Sequence, residues 1–364
     1  MEKMLKALLV LLIAILSAVM AFCATVFVIG NANREPAQIP ENTQAQIQTL
    51  PTETQPAPTE TEAPTEPAEE RFLLTFVGDC TLGCRDAHAY ADVGFLKTVG
   101  DDYGYPFRNV LKYFEEDELT MINLEGVFSE EGYAVQKAHT FRGPTSYVNI
   151  LTENSVEAVT LANNHTMDYG QTGYDSTKAV LDKAGIPYVE RDSSTVITTK
   201  NGLKIGVYGA VYYKMDTNQI TEAIRQLRTE ADIVVFAPHW GFEMNPQFNK
   251  EQEALAHAVI DAGADIVYGS HPHVLQAMEE YNNGVIFYSL GNFSFGGNNY
   301  PEDYDSALIR QEVIRTADGT VTLGETTVVP VSVSSISDRN NFQPTPYEEG
   351  SEDYVRVLEK LDLA

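Results

Sequence analysis

Short apolar runs that stop abruptly at ligand-type polar residues recur along this chain, and they restrict its folds more than any other feature. Residues 72–77 end at Gly78-Asp79, residues 121–124 at Glu125, and residues 158–162 at Asn163-Asn164-His165. Residues 233–237 lead into Pro238-His239-Trp240-Gly241, residues 265–268 into Gly269-Ser270-His271-Pro272-His273, and residues 285–289 into Leu290-Gly291-Asn292-Phe293. Apolar runs of this length, bounded by Gly and Pro, read as buried strands.

Between them lie helical patterns. One covers about 172–183 and closes at Gly185 and Pro187; another covers about 250–262 and closes at Gly263. Alternating strands and helices predict an α/β fold covered on both faces. Near the end the order changes. Residues 307–316 and 321–333 flank Asp318-Gly319, a hairpin signal. The expectation is therefore mixed β-sheets, a two-sheet sandwich flanked by helices, forming one domain over 71–364.

What precedes that domain is of two other kinds. Residues 7–29 are apolar and, as a helix, would span roughly 35 Å, enough for a hydrocarbon core. The run is longer than a signal-peptide core and continues past Ala21-Phe22-Cys23-Ala24, so it reads as an uncleaved transmembrane helix within an anchor of residues 1–30. Lys3 and Lys6 precede it, and no Lys or Arg follows before Arg34, which places the N-terminus inside. Residues 31–70 are dense in Pro, Thr, Gln and Glu and read as an extended, disordered linker. The expected location is the cell membrane, single-pass, with the C-terminal domain extracellular and the cytoplasmic membrane as one partner.

The formal net charge is −28. Such a field disfavours nucleic acid as a partner, and any anion handled here must be drawn in by local cations. Cys80 and Cys84 read either as a local disulfide or as two small buried residues, with the buried reading preferred.

The strand-end residues carry the chemistry. Asp79, Glu125, Asn164, His165, His239, His271 and His273 offer carboxylate, amide and imidazole donors after separate strands, where α/β folds place their sites. That donor set suits Mn, Fe or Zn. The order of Gly78-Asp79, Asn123-Leu124-Glu125, Ala162-Asn163-Asn164-His165, His239-Trp240-Gly241-Phe242-Glu243, Gly269-Ser270-His271-Pro272-His273 and Ser289-Leu290-Gly291-Asn292-Phe293 resembles the CapA family. That family is associated with capsule and poly-γ-glutamate biosynthesis and is similar to calcineurin-type metallophosphoesterases. The resemblance spans about 71–330.

Carried over by position, it implies that Asp79, Glu125, Asn164, His239, His271 and His273 hold one or two divalent ions, with Glu125 bridging. It implies a catalytic role for His165, which would stabilise or protonate a leaving oxygen. Glu243 is a further catalytic candidate, as base or as a group that orients a ligand. Lys137 and Arg142 resemble the family's basic segment and are candidates for substrate binding through a carboxylate or phosphate. The motif departs from metallophosphoesterases at Asp79-Cys80-Thr81, where Asp-x-His is usual, and at Glu125, where Asp is usual. Two readings stand: a metal-dependent hydrolase acting on a phosphoester or polymer-linked substrate, and a non-catalytic, metal-stabilised component of an envelope polymer synthesis or export complex. Under either, the implied partners are an anionic envelope polymer or its precursor and other capsule-synthesis subunits.

Overall fold

Phe72, Leu74 and Phe76 alternate along β1 (Glu70–Thr81) and enter one apolar core, while Val77 on the same strand enters another. This two-sided burial runs through the computed structural model, which describes residues 69–86, 91–211 and 215–364. The anchor read over 1–30 and all but the last two residues of the linker read over 31–70 lie outside the described residues, and Glu70 already opens β1. No helix among the described residues is long and apolar enough to cross a membrane.

After β1 come β2 (Leu119–Leu124), β3 (Val127–Phe128), β4 (Arg142–Gly143), β5 (Ala158–Thr160), β6 (Tyr188–Val189), β7 (Ser193–Thr198) and β8 (Lys204–Val211). They are followed by β9 (Ile233–His239), β10 (Ile266–Tyr268), β11 (Leu275–Tyr281), β12 (Gly284–Leu290) and β13 (Asn292–Phe295). The last are β14 (Asp305–Arg315), β15 (Val321–Ser332) and β16 (Thr345–Pro346). One sheet has the order β16-β15-β14-β1-β2-β5-β6, with β13 also paired to β1; the other runs β11-β12-β10-β9-β8-β7. The centres of both are parallel, as in β1–β2–β5 and β8–β9–β10–β12, with antiparallel partners outside them.

The two sheets face each other. Phe76, Met121, Val207, Val235, Tyr268 and Phe287 share the core between them. Helices cover the outer faces. On the first sheet α1 (Phe95–Val99), α2 (Leu111–Glu115), α3 (Val148–Thr152) and α4 (Gly170–Ala184) bury Phe95, Phe114, Ile150 and Leu181 against Ile122 and Val159. On the second, α5 (Thr217–Arg228) and α6 (Lys250–Asp261) pack Ile224 and Val259 against Val234 and Val267. The expected α/β sandwich flanked by helices is the one observed, with α4, α6 and the β14–β15 hairpin at the expected places. Cys80 and Cys84 are buried free thiols.

A final helix, α7 (Glu352–Lys360), is tied to the first sheet through Asp305. Arg356 donates from Nε and Nη2 to the buried Asp305 carboxylate, both at 2.7 Å, and Lys360 Nζ lies 2.8 Å from Asp305 and from Asp303. Burial pulls the Asp305 carboxyl upward, but the bonds to Arg356 and Lys360 outweigh it and hold the group below its usual value. Such a group contributes stability above its unfolded pKa of about 3.9, and the contribution is lost as pH falls through the lower folded pKa. Asp305→Asn is expected to destabilise the chain by about 2 kcal/mol at pH 7 in urea denaturation. The gap from the unchanged protein should shrink as the buffer is taken below about pH 4. A gap that stays constant with pH would show that packing, rather than the ion pairs, holds α7.

Candidate metal centre

The C-terminal ends of the parallel strands of both sheets meet along one edge of the sandwich, and the ligand-type side chains stand there. Asp79 closes β1, Glu125 follows β2, Asn163-Asn164-His165 follow β5, His239 closes β9, Ser270–His273 follow β10, and Asn292 opens β13. Asp79, Glu125 and His239 are fully buried, and His165 and His271 nearly so.

Three of the histidine rings are each oriented by a partner behind them. His165 Nδ1 lies 2.6 Å from Asp168 Oδ2, His239 Nδ1 lies 2.9 Å from Ser270 Oγ, and His273 Nδ1 lies 3.0 Å from Asn292 Oδ1 and 3.3 Å from Asp79 Oδ2. The Ser270 hydroxyl donates to Pro238 O at 3.3 Å, which leaves its oxygen to accept from His239. The Asn292 amide donates to His273 O at 3.3 Å, so its carbonyl oxygen faces the ring. These bonds assign the proton to Nδ1 in all three rings and leave Nε2 as the inward atom.

The three Nε2 atoms converge on one oxygen. Glu125 Oε1 lies 3.7 Å from His165, 3.7 Å from His239 and 3.8 Å from His273. Asn164 Oδ1 joins them, 3.1 Å from His239 Nε2. Both Glu125 oxygens are buried without a hydrogen-bond partner. Lone pairs of a carboxylate, an amide and imidazoles thus face one another, an arrangement a cation satisfies and a proton satisfies only in part. Donor atoms of Asp79, Glu125 and His273 lie within 4.8 Å of one another, and so do those of Glu243, His271 and His273. The two groups share His273. The residues present therefore fit one or two divalent ions.

The electrostatics agree with that fit. Burial pushes the Glu125 carboxyl up, and the neighbouring His273 only partly offsets this. For His273 burial acts downward, yet the carboxylates of Glu125 and Asp79 hold its imidazole well above the usual value. Burial and the neighbouring imidazoles push His239 far down and His271 down to about 4. Burial also lowers His165, against the pull of Asp168. The loop bearing His271 and His273 is itself strained, with φ of 99° and 59° at residues that are not glycine. It is pinned by the His271 N–H to Asp79 Oδ2 at 3.1 Å and by the Met244 N–H to Pro272 O at 2.8 Å.

The other residues singled out in the sequence sit around this cluster. Lys137 Nζ bonds Asn164 O at 2.8 Å and Asp168 Oδ1 at 2.9 Å, and stands 3.1 Å from His165 Nδ1, so it braces the His165 ring from behind. Arg142 pairs with Asp86 at 2.9 Å and lies over the Tyr169 ring at 4.3 Å. Glu243 is exposed, on the rim beside His271 and His273.

Sequence reading missed the supports. Asn123 donates to Asp79 at 2.8 Å, Asn163 donates to Asn123 at 3.0 Å, and the Asn163 carbonyl receives the His165 N–H at 3.0 Å. Phe141 covers the His165 ring at 4.4 Å between centroids. Asn123 and Asn163 lay inside quoted motifs, so that signal was present; Phe141 had none. A cavity of about 240 Å³ opens from the cluster, lined by His165, His273, Phe141, Glu243, Arg85 and His139 among others. Neither Arg85 nor His139 carries a local sequence signal for that position.

Residues 73–297 match the domain family described as bacterial capsule synthesis protein PGA_cap. The capsule biosynthesis protein CapA of Bacillus anthracis is 32% identical over 313 residues, 77% of this chain and 72% of that protein. The PGA biosynthesis protein CapA of Bacillus subtilis strain 168 is 35% identical over 304 residues, 75% of this chain and 77% of that protein. Among solved structures, a Staphylococcus aureus protein described as a candidate 5′-nucleotidase superposes with a TM-score of 0.45 at 13% identity, over 80% of this chain and 58% of that one.

Proposed function

The chain belongs to the bacterial capsule synthesis family, and from that premise we propose that it serves envelope-polymer synthesis through a divalent-cation site of metallophosphoesterase type. Residues 71–364 are the working domain, held outside the cell by the anchor of residues 1–30 and the linker of residues 31–70. The polymer or its precursor is the partner at the site, with other synthesis subunits beside it. The observation that carries the reading is the buried, unpartnered Glu125 carboxylate at the focus of three oriented imidazoles.

Asp79, Glu125, Asn164, His239, His271 and His273 would hold the cation or cations. When bound, such ions polarise a phosphoryl or carbonyl oxygen and make water a nucleophile at neutral pH. The chain's own residues do the rest. Asp168 and Lys137 fix the His165 ring so that Nε2 faces the cavity, and Nε2 is the atom at which a proton is taken up and given to a leaving oxygen. Phe141 shields that ring from bulk water. Glu243, on the rim, is placed to receive the proton of an approaching nucleophile.

The test is turnover of a generic phosphodiester by the full-length chain with added Mn²⁺, alongside bound-metal analysis. Asp79→Asn is expected to lose both metal and activity. His165→Ala should keep its metal and lose about 100-fold or more in turnover. Metal without turnover on any ester would favour the non-catalytic role in polymer assembly. Activity unchanged from the parent in both variants would remove the catalytic assignment.

A further inference from the structure

We propose that Arg85 receives an oxyanion carried by the substrate, in the cavity that opens from the cation-binding cluster. This rests on the metal-site reading for the position of the reacting group. His165 and His273 line the same cavity as Arg85 and His139, so one ligand can meet both sets. Its volume is about 240 Å³.

Arg85 differs from the neighbouring cations in its lack of company. Lys137 is engaged by Asp168 and Arg142 by Asp86. Among the described residues Arg85 meets no carboxylate, and its Nε is buried without a hydrogen-bond partner. A guanidinium partly withdrawn from water with its Nε–H unmet is costly to maintain, and an oxyanion with two free oxygens accepts from Nε and a neighbouring Nη at once. His139 stands close by; burial, and then the charge of Arg85, lower its pKa, so it offers a neutral N–H beside the charge. The setting also limits the ligand. The protein carries a net charge of −28, and Glu243 and Glu302 face the same cavity, while Asp303 is neutralised by Lys360 at 2.8 Å. The site therefore takes anionic groups one at a time, and an anionic polymer would present a single carboxylate or phosphate to Arg85.

Carboxylate and phosphate share this chemistry, and the experiment separates them. The full-length chain would be titrated calorimetrically with inorganic phosphate and with a γ-linked glutamate tripeptide, for the unchanged protein, Arg85→Gln and Arg85→Lys, with bound metal measured in each. Arg85→Gln is expected to weaken one probe about tenfold or more with metal content unchanged, and Arg85→Lys to restore part of the loss. Weakening confined to the tripeptide identifies a polymer carboxylate; weakening confined to phosphate identifies a phosphoryl group. Equal affinity in Arg85→Gln, or no binding of either probe by the unchanged protein, overturns the proposal. Arg85-dependent binding by a protein that retains no metal would sink the metal reading and leave this one standing.

Discussion

Glu125→Gln is expected to remove metal binding and, in the same molecule, to raise the stability of the metal-free protein. Both effects follow from one geometry. The Glu125 carboxylate is fully buried, and neither oxygen finds a hydrogen-bond donor. Glutamine keeps the shape and removes the charge. Metal-stripped variant and metal-stripped parent should therefore differ by about 2 kcal/mol in favour of the variant, since His273 keeps Asp79 Oδ2 at 3.3 Å as its carboxylate partner; this is roughly 3 °C in melting temperature for a domain of this size. With Mn²⁺ the gap closes. At a hundredfold excess over Kd the parent gains about 2.7 kcal/mol by mass action, while the variant, its affinity down about 100-fold, gains about 0.4 kcal/mol. The measurement is a pair of melting curves for each protein, in chelator and in Mn²⁺. A parent that does not respond to any divalent ion, or a variant that responds equally, would mean that the three imidazoles are matched to Glu125 for stability alone.

Such a residue shows what the sequence makes legible. Asp79, Glu125, Asn164, His239 and His273 were readable because each ends an apolar run, and the ends of parallel strands in an α/β fold lie together. The sandwich was readable for a related reason: strands buried on two faces, as in β1 and β9, lack a polar alternation and demand cover on both sides. What stayed hidden depends on contact between distant segments. Asp79 receives the His271 N–H across 192 positions. Lys137 was visible as a cation, yet only the fold shows it bracing His165 rather than standing free. Arg85 has the opposite history: no motif marks it, and it matters because no carboxylate among the described residues pairs with it. Edge strand β7 and helix α5 also went unread, since neither carries a ligand residue or a closing Gly-Pro signal.

Two glycines beside the site should tolerate no side chain at all, and their substitution is expected to have the largest effect on folding. A Cβ at Gly269 would stand 2.2 Å from Tyr288 O and 2.7 Å from Trp240 Nε1, which are themselves hydrogen-bonded at 2.9 Å. A Cβ at Gly78 would stand 2.3 Å from Gly291 O and 2.8 Å from Leu290 O. In each case the obstacle includes backbone carbonyls of a buried strand, which cannot rotate aside. Gly269→Ala must push β10 from β12, and Gly78→Ala must part β1 from the turn into β13. The second move also strains the Asp79 N–H bond to Gly291 O, now 2.8 Å, and carries Asp79 away from His273. A loss of about 3–5 kcal/mol is expected for either, in urea denaturation of the metal-free chain. Gly104→Ala is the control, since its Cβ would meet only an Asp102 oxygen at 3.8 Å; its change should stay within about 0.5 kcal/mol. The glycines in Gly78-Asp79 and Gly269-Ser270-His271 then have a physical meaning, because the backbone there passes too close to its neighbours for any other residue. Gly78→Ala at parent stability would show instead that the two strand ends can separate, and that the position of Asp79 is set by its own bonds alone.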